Sequence, residues 1–82
     1  MTSDTLAVRT LDQLLPGQAA TIRQVGGRGT FRRRMSDIGL NAGTTIQMMG
    51  VNPLGDPIEY SINGCVLTLR RAEARVIVVE FE

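Results

Sequence analysis

Hydrophobic and polar positions recur at two periods along this chain, and the changes of period mark its elements. Residues 18–25 alternate, with Ala20 and Ile22 on one face and Thr21 and Arg23 on the other, which predicts a half-buried strand. At Thr30 the period becomes helical. Phe31, Met35 and Ile38 fall at i, i+4 and i+7, Thr30 is placed to cap the start, and Gly39 sits where a left-handed residue commonly ends a helix. Alternation resumes after Asn41-Ala42-Gly43 and predicts strands over residues 44–51, 57–62 and 65–69. Asn63-Gly64 joins the last two and specifies a hairpin, because a type I′ turn requires positive φ at both central residues. Ile58, Tyr60 and Ile62 then share one face, and Cys65, Leu67 and Leu69 share one face of the partner strand. These faces are the expected core, with Cys65 inside it as a small hydrophobe. A short turn over residues 71–74 leads to a last strand, 75–81, rich in β-branched residues.

Near the start, Leu11 lies at helical spacing from Leu14 and Leu15 behind a capping Thr10, and Pro16-Gly17 ends that segment after about one turn. Residues 1–9 show no periodicity and are expected to be loosely ordered, which leaves residues 10–82 as the domain. Five short strands, one helix inserted after the first and an N-terminal helical turn predict a mostly β fold. Turns at a spacing of about 8–12 residues make it a small barrel, closed on itself. No internal repeat or low-complexity tract is present.

Composition narrows the function more than the fold. With 82 residues there is room for one domain, and chains this short bury only about two thirds of the surface they expose when unfolded. The apolar share of 43% against 21% charged places the chain outside the composition of disordered segments. There is no His, no Trp and no Lys, a single Cys, and nine Arg carry all the positive charge. A zinc site of Cys and His ligands is therefore excluded within one chain, as is an internal disulfide. Acid-base catalysis by His and a His-activated Cys nucleophile are excluded too. The acidic residues are scattered, without paired spacing. A binding protein, not an enzyme, is expected, with no cofactor and no metal site of its own.

The longest unbroken apolar run, residues 76–79, is far below the roughly 18 residues of a membrane span. Met1-Thr2-Ser3-Asp4 has neither the basic start nor the apolar core of a signal peptide, so a cytoplasmic location is expected. A net charge of +1 and a pI near 8.0 argue against a dedicated nucleic-acid binder, whose domain pI usually exceeds about 9.

The charge is clustered, however. Arg32, Arg33 and Arg34 lie in the first turns of the helix, where cations oppose the helix dipole at about 0.3–1 kcal/mol each when exposed. Asp37 follows Arg33 by four residues and Arg34 by three, the less favourable order for such pairs. Helix stability alone does not ask for these arginines, which leaves a solvated polar face and a partner-binding patch as the two readings. The preceding Gly26-Gly27-Arg28-Gly29 has the composition of a phosphate-cradling loop. It lacks the Lys-Ser/Thr of a Walker loop and the third glycine of a dinucleotide fingerprint, so a structural turn is favoured. Asn52-Pro53-Leu54-Gly55-Asp56-Pro57 is a stiff connection that carries a large apolar residue, Leu54, and reads either as a structural turn or as a docking loop. Arg70 and Arg71, with Glu73 and Arg75, form a further basic cluster, read as solvated.

Four groups of residues in order carry a resemblance: Leu11-Asp12-Gln13-Leu14 with Pro16-Gly17; Arg32-Arg33-Arg34-Met35 with Asp37-Ile38-Gly39-Leu40 and Gly43-Thr44; Pro53-Leu54-Gly55-Asp56-Pro57-Ile58; and Leu67-Thr68-Leu69-Arg70-Arg71 with Glu73-Ala74. Over residues 8–82 the chain resembles the ferrous iron transport protein A family (FeoA). The resemblance implies an SH3-like barrel and a cytoplasmic accessory role in bacterial ferrous iron uptake. It also implies, as partner, the inner-membrane permease FeoB with its cytosolic G-protein domain. The same barrel resembles the C-terminal domain of iron-dependent repressors. The expected partner-binding residues are Arg32, Arg33, Arg34 and Asp37 on the helix and Leu54, Gly55, Asp56 and Pro57 on the loop. An arginine of the cluster acting as a finger on a bound nucleotide is a further expectation. The alternatives are a nucleic-acid-binding or iron-regulatory interaction module, and self-association, weak or linked by a shared metal ion. Only three aromatics, Phe31, Tyr60 and Phe81, are available for base stacking, and all three are expected in the core.

Overall fold

The alternating segments pair into one six-stranded antiparallel sheet in the order β1-β6-β2-β3-β4-β5. In the computed structural model, which describes residues 8–81, the strands are β1 (Val8–Thr10), β2 (Ala19–Val25), β3 (Thr45–Val51), β4 (Ile58–Ile62), β5 (Cys65–Leu69) and β6 (Ile77–Phe81). A 3-10 turn (Leu11–Gln13) follows β1, helix α1 (Gly29–Asp37) joins β2 to β3, and the single turn α2 (Arg71–Ala74) joins β5 to β6. The sequence predicts five strands; the sixth is β1. Val8 and Arg9, assigned by pattern to a loose N-terminus, pair with Glu80 and Val79 of β6. Three residues are too few to show a period, so this strand forms because β6 offers a free edge. The expectation for residues 1–7 lies outside the described residues.

Register shifts at Arg23 in β2 and Met49 in β3 are bulges, which strengthen the local twist and curl the sheet around its core. That core holds Leu11, Leu14, Ala20, Ile22, Met35, Leu40, Ile46, Met48, Ile58, Tyr60, Ile62, Leu69, Ala74, Ile77 and Val79. The ladder does not run on from β1 to β5, contrary to the closure expected of a barrel. The two edges are instead bridged by side chains. α2 packs on the 3-10 turn, where Arg71 Nη1 donates to the Asp12 carbonyl at 3.5 Å and Arg75 pairs with the Asp12 carboxylate at 3.9 Å.

Tyr60, from the middle of β4, crosses this interior and donates its hydroxyl to the Leu11 carbonyl at 3.2 Å. Burial pushes the phenol well above its usual range, the nearby Asp12 carboxylate adds to this, and Arg71 opposes it. The folded chain thus keeps a proton that the unfolded chain loses above about pH 10, so stability is complete below that pH and falls as pH rises through it. Tyr60→Phe is expected to cost about 1 kcal/mol, because the Leu11 carbonyl keeps its bond from the Leu14 amide at 3.2 Å. It should also flatten the alkaline slope, since this is the chain's one tyrosine. Urea unfolding between pH 7 and 11 reads both; an unchanged slope in the variant would show that Tyr60 does not carry it.

Turn chemistry follows the sequence at two decisive places. Asn63 and Gly64 have φ of 53° and 81°, as a type I′ turn requires, and Gly39 has φ of 100°, which ends α1. Two local expectations fail. Arg28, not Thr30, is the N-cap, because the turn at Gly27, with φ of 86°, delivers the chain into the helix early and Arg32 N–H already bonds the Arg28 carbonyl. Cys65 is exposed. It stands beside the hairpin turn at the start of an edge strand, where burial rises only toward Leu69 at the other end.

Candidate functional site

The two candidate surfaces, the arginine ridge of α1 and the loop of residues 52–57, flank one groove of about 430 Å³. Its walls are Met35 and Ile38 of α1, Leu67 and Leu69 of β5, and Pro57, and its rim carries Arg34, Arg70 and Glu73. Helix α1 seats here through Met35, its one fully buried residue, with Phe31 packed alongside. Ile38, expected on the inner face, is 47% exposed. The left-handed Gly39 ends the helix one residue later and Leu40 returns to the core, so Ile38 is left lining the groove.

Arg34 lies 2.9 Å from Glu73 of α2 and stacks over Phe31 at 5.6 Å from the ring centroid. The sequence offered Asp37 as the acidic partner. The barrel supplies Glu73 instead, from 39 positions along the chain. Among the described residues, Arg32, Arg33 and Asp37 are exposed with no partner. Arg32 and Arg33 therefore form the uncompensated part of the ridge.

The loop is rigid for a reason that lies elsewhere in the chain. The Asn52 carbonyl accepts from Gly55 N–H and its side-chain oxygen from Leu54 N–H, while Gly55 takes φ of 91°. Arg71 then holds the loop to the body. Its Nε and Nη2 both donate to the Gly55 carbonyl, at 3.1 and 3.0 Å, and its backbone N–H donates to the Asp56 carboxylate at 2.8 Å. The Asp56-Pro57 peptide bond is cis. Gly55 and Asp56 are thus engaged in holding the loop, and Leu54 stands at its tip, 91% exposed. The reading of Arg71 as a solvated charge is corrected: its guanidinium is a part-buried clamp. No local signal could reveal this, because Arg71 and Asp56 are 15 residues apart.

Of the eight expected residues, the fold brings Arg34 and Pro57 into the groove, places Arg32, Arg33 and Asp37 beside it on α1, and leaves Leu54 projecting from its end of the barrel. The glycines before α1 prove structural. A Cβ on Gly26 would lie 2.9 Å from the Val76 carbonyl oxygen, and one on Gly27 would meet the Phe31 ring at 3.0 Å. The two outer aromatics carry cations from within the chain, Arg34 over Phe31 and Arg9 over Phe81, so neither offers a free stacking platform. Among the described residues, no three of His, Cys, Asp and Glu come together as a metal site, and no helix is long and apolar enough to cross a membrane.

The fold recurs in known proteins. The FeoA domain model matches residues 9–81. A Porphyromonas gingivalis protein, the Fe(2+) transport protein A/Fe(2+) transporter FeoB fusion protein, is 41% identical over 70 residues; these are 85% of this chain but 8% of that protein. The solution structure of a Chlorobium tepidum FeoA protein superposes with a TM-score of 0.84 at 40% identity, covering 88% of this chain and 69% of that one. A zinc-complexed FeoA of Stenotrophomonas maltophilia, described as a procaryotic SH3 domain protein, gives 0.76 at 25% identity, covering 87% and 88%. The six-stranded barrel is accordingly SH3-like, and a match that runs from β1 to the end of β6 shows that the chain belongs to the FeoA domain family.

Proposed function

We propose that this chain is a small cytoplasmic accessory protein of ferrous iron uptake that docks on the cytosolic G-protein domain of the permease FeoB and modulates transport. The observation that carries this reading is the Porphyromonas gingivalis relative, in which a domain 41% identical to this one shares a chain with FeoB. Nature tolerates such fusions where the two parts work side by side. The surface supports it: an exposed arginine ridge, a clamped loop presenting Leu54 and an apolar groove between them suit contact with a protein better than catalysis or base stacking. The work of the chain is binding, and the iron passes through the permease.

Within this reading Arg32 and Arg33 are the residues free to reach a nucleotide, since Arg34 is engaged by Glu73. The test is a calorimetric titration of the chain into the permease's cytosolic domain, with and without guanine nucleotide. Saturable binding in at least one nucleotide state is expected, and the double variant Arg32→Ala, Arg33→Ala should bind more weakly by about tenfold while unfolding at an equal or higher urea concentration, since both cations oppose the helix dipole. Absence of binding in every state would overturn the proposal.

A further inference from the structure

The hydrogen-bonding edge of β5 is unguarded, and this sets it apart from the other edge of the sheet. β1 is three residues long and carries Arg9, stacked over Phe81, both of which blunt an edge against pairing. β5 is Cys65-Val66-Leu67-Thr68-Leu69: five residues with no charge, no proline and no bulge. The two-residue turn makes Ile62 and Cys65 the first hydrogen-bonded pair, and alternation then assigns Tyr60 with Leu67 and Ile58 with Leu69 as the others. The N–H and C=O groups of Val66 and Thr68 therefore point away from β4. Among the described residues, no backbone group outside the sheet meets them. The groove described above lies along this same edge, with Leu67 and Thr68 in its wall.

We infer that β5 is a strand-addition site, which takes an extended segment of the partner polypeptide as a seventh strand. This rests on the docking reading and names how the partner is held. Such a segment would pair with Val66 and Thr68 through its main chain and lay every second side chain into the groove against Met35, Ile38 and Leu67. Charge selects the occupant. Arg34 and Arg70 line the groove, Arg32 and Arg33 stand beside it, and Glu73 is the one acidic residue at its rim, already paired with Arg34. The segment that fits is apolar at alternate positions with acidic residues at its ends. A second copy of this chain is the poorer match, because its own β5 edge carries no acidic residue to set against Arg70 and its rim carboxylate, Glu73, is already paired with Arg34.

The experiment uses the permease's cytosolic domain as probe. In the isotope-labelled chain, hydrogen exchange at the Val66 and Thr68 amides is expected to slow by about tenfold or more upon binding. Thr68→Pro deletes an outward donor and leaves the β4 ladder whole, which an edge strand tolerates. It is expected to weaken binding by about tenfold, Thr68→Val, which keeps the N–H, by less than about threefold, and Arg70→Glu to weaken it and reduce its salt dependence. Should Thr68→Pro fail to fold, Val66→Pro and the exchange measurement on the unaltered chain still decide. Full-strength binding by the folded proline variants, with exchange at Val66 and Thr68 unchanged, overturns strand addition and leaves docking intact. No binding by the unaltered chain overturns both. A dimer of the chain alone that Thr68→Pro disperses would assign the edge to a second copy and overturn the inference.

Discussion

Met35→Ala is expected to lower the unfolding free energy by about 3 kcal/mol, the largest loss from any single truncation on the arginine-bearing helix. Helix α1 has nine residues and only one that is fully buried, at 2% exposure. A helix this short is marginal in isolation, so it persists because this side chain joins Leu40, Tyr60 and Leu69 in the core. Removing the thioether deletes the apolar contact and leaves a cavity beneath the groove wall. For a domain of this size such a loss is a substantial share of the total, worth roughly 15 °C in Tm. Met35→Leu, which nearly conserves volume, should cost less than about 1.5 kcal/mol. Urea unfolding of both variants tests the point. A loss under about 1 kcal/mol for Met35→Ala would mean that α1 is held by its surface contacts, Arg34 with Glu73 above all.

Arg71→Ala is expected to cost about 2 kcal/mol and, separately, to unlock the Leu54 loop. The guanidinium reaches the Gly55 carbonyl through two donors and the Asp12 carbonyl through a third, so one side chain ties the loop and the 3-10 turn to α2. Bonds from a charged donor are worth more than neutral ones, although this site is only part-buried and water recovers some of the loss. Lysine cannot reproduce the fork, so Arg71→Lys should restore the charge and little of the stability. The distinguishing readout is local. Exchange at Leu54 and Gly55 amides should quicken in Arg71→Ala, while exchange in β2 and β6 should change only by the global stability difference. If the loop amides stay as protected as before, the turn of residues 52–55 is rigid by itself and Arg71 is only an anchor for α2.

The elements that the sequence revealed share one property: their instructions are local. Asn63-Gly64 states its turn type in two residues, Gly39 its left-handed cap in one, and the alternation of Ile58, Tyr60 and Ile62 puts all three in the core, as observed. The failures are equally consistent. Cys65 continues the alternation of Leu67 and Leu69 yet is exposed, because period two reports which face a residue takes and not whether anything covers that face. Ile38 fails for the same reason at helical period. β1 was invisible because its only cause is the vacant edge of β6. At the candidate site, the sequence singled out Arg32, Arg33 and Leu54 as poorly explained by local structure, and their side chains remain exposed, with no hydrogen bond or ion pair among the described residues. It could not separate them from Arg34, Gly55 and Asp56, which are occupied by Glu73 and Arg71.

By itself, then, the chain's sequence determined a small mostly β domain with one real helix and the chemistry it must do without. Absent histidines and a lone cysteine exclude, within one chain, a zinc site of Cys and His ligands, an internal disulfide and a His-activated nucleophile, whatever the fold. Periodicity and turn residues act within a few positions, where sterics and backbone hydrogen bonding suffice. Only the tertiary structure decided which arginines are free, which is a clamp, and which strand edge is left open along an apolar groove. Those outcomes depend on contacts between residues 15 to 59 positions apart, such as Arg71 with Asp56 and with Asp12. Such contacts arise when the bulged sheet curls, and no local pattern encodes them.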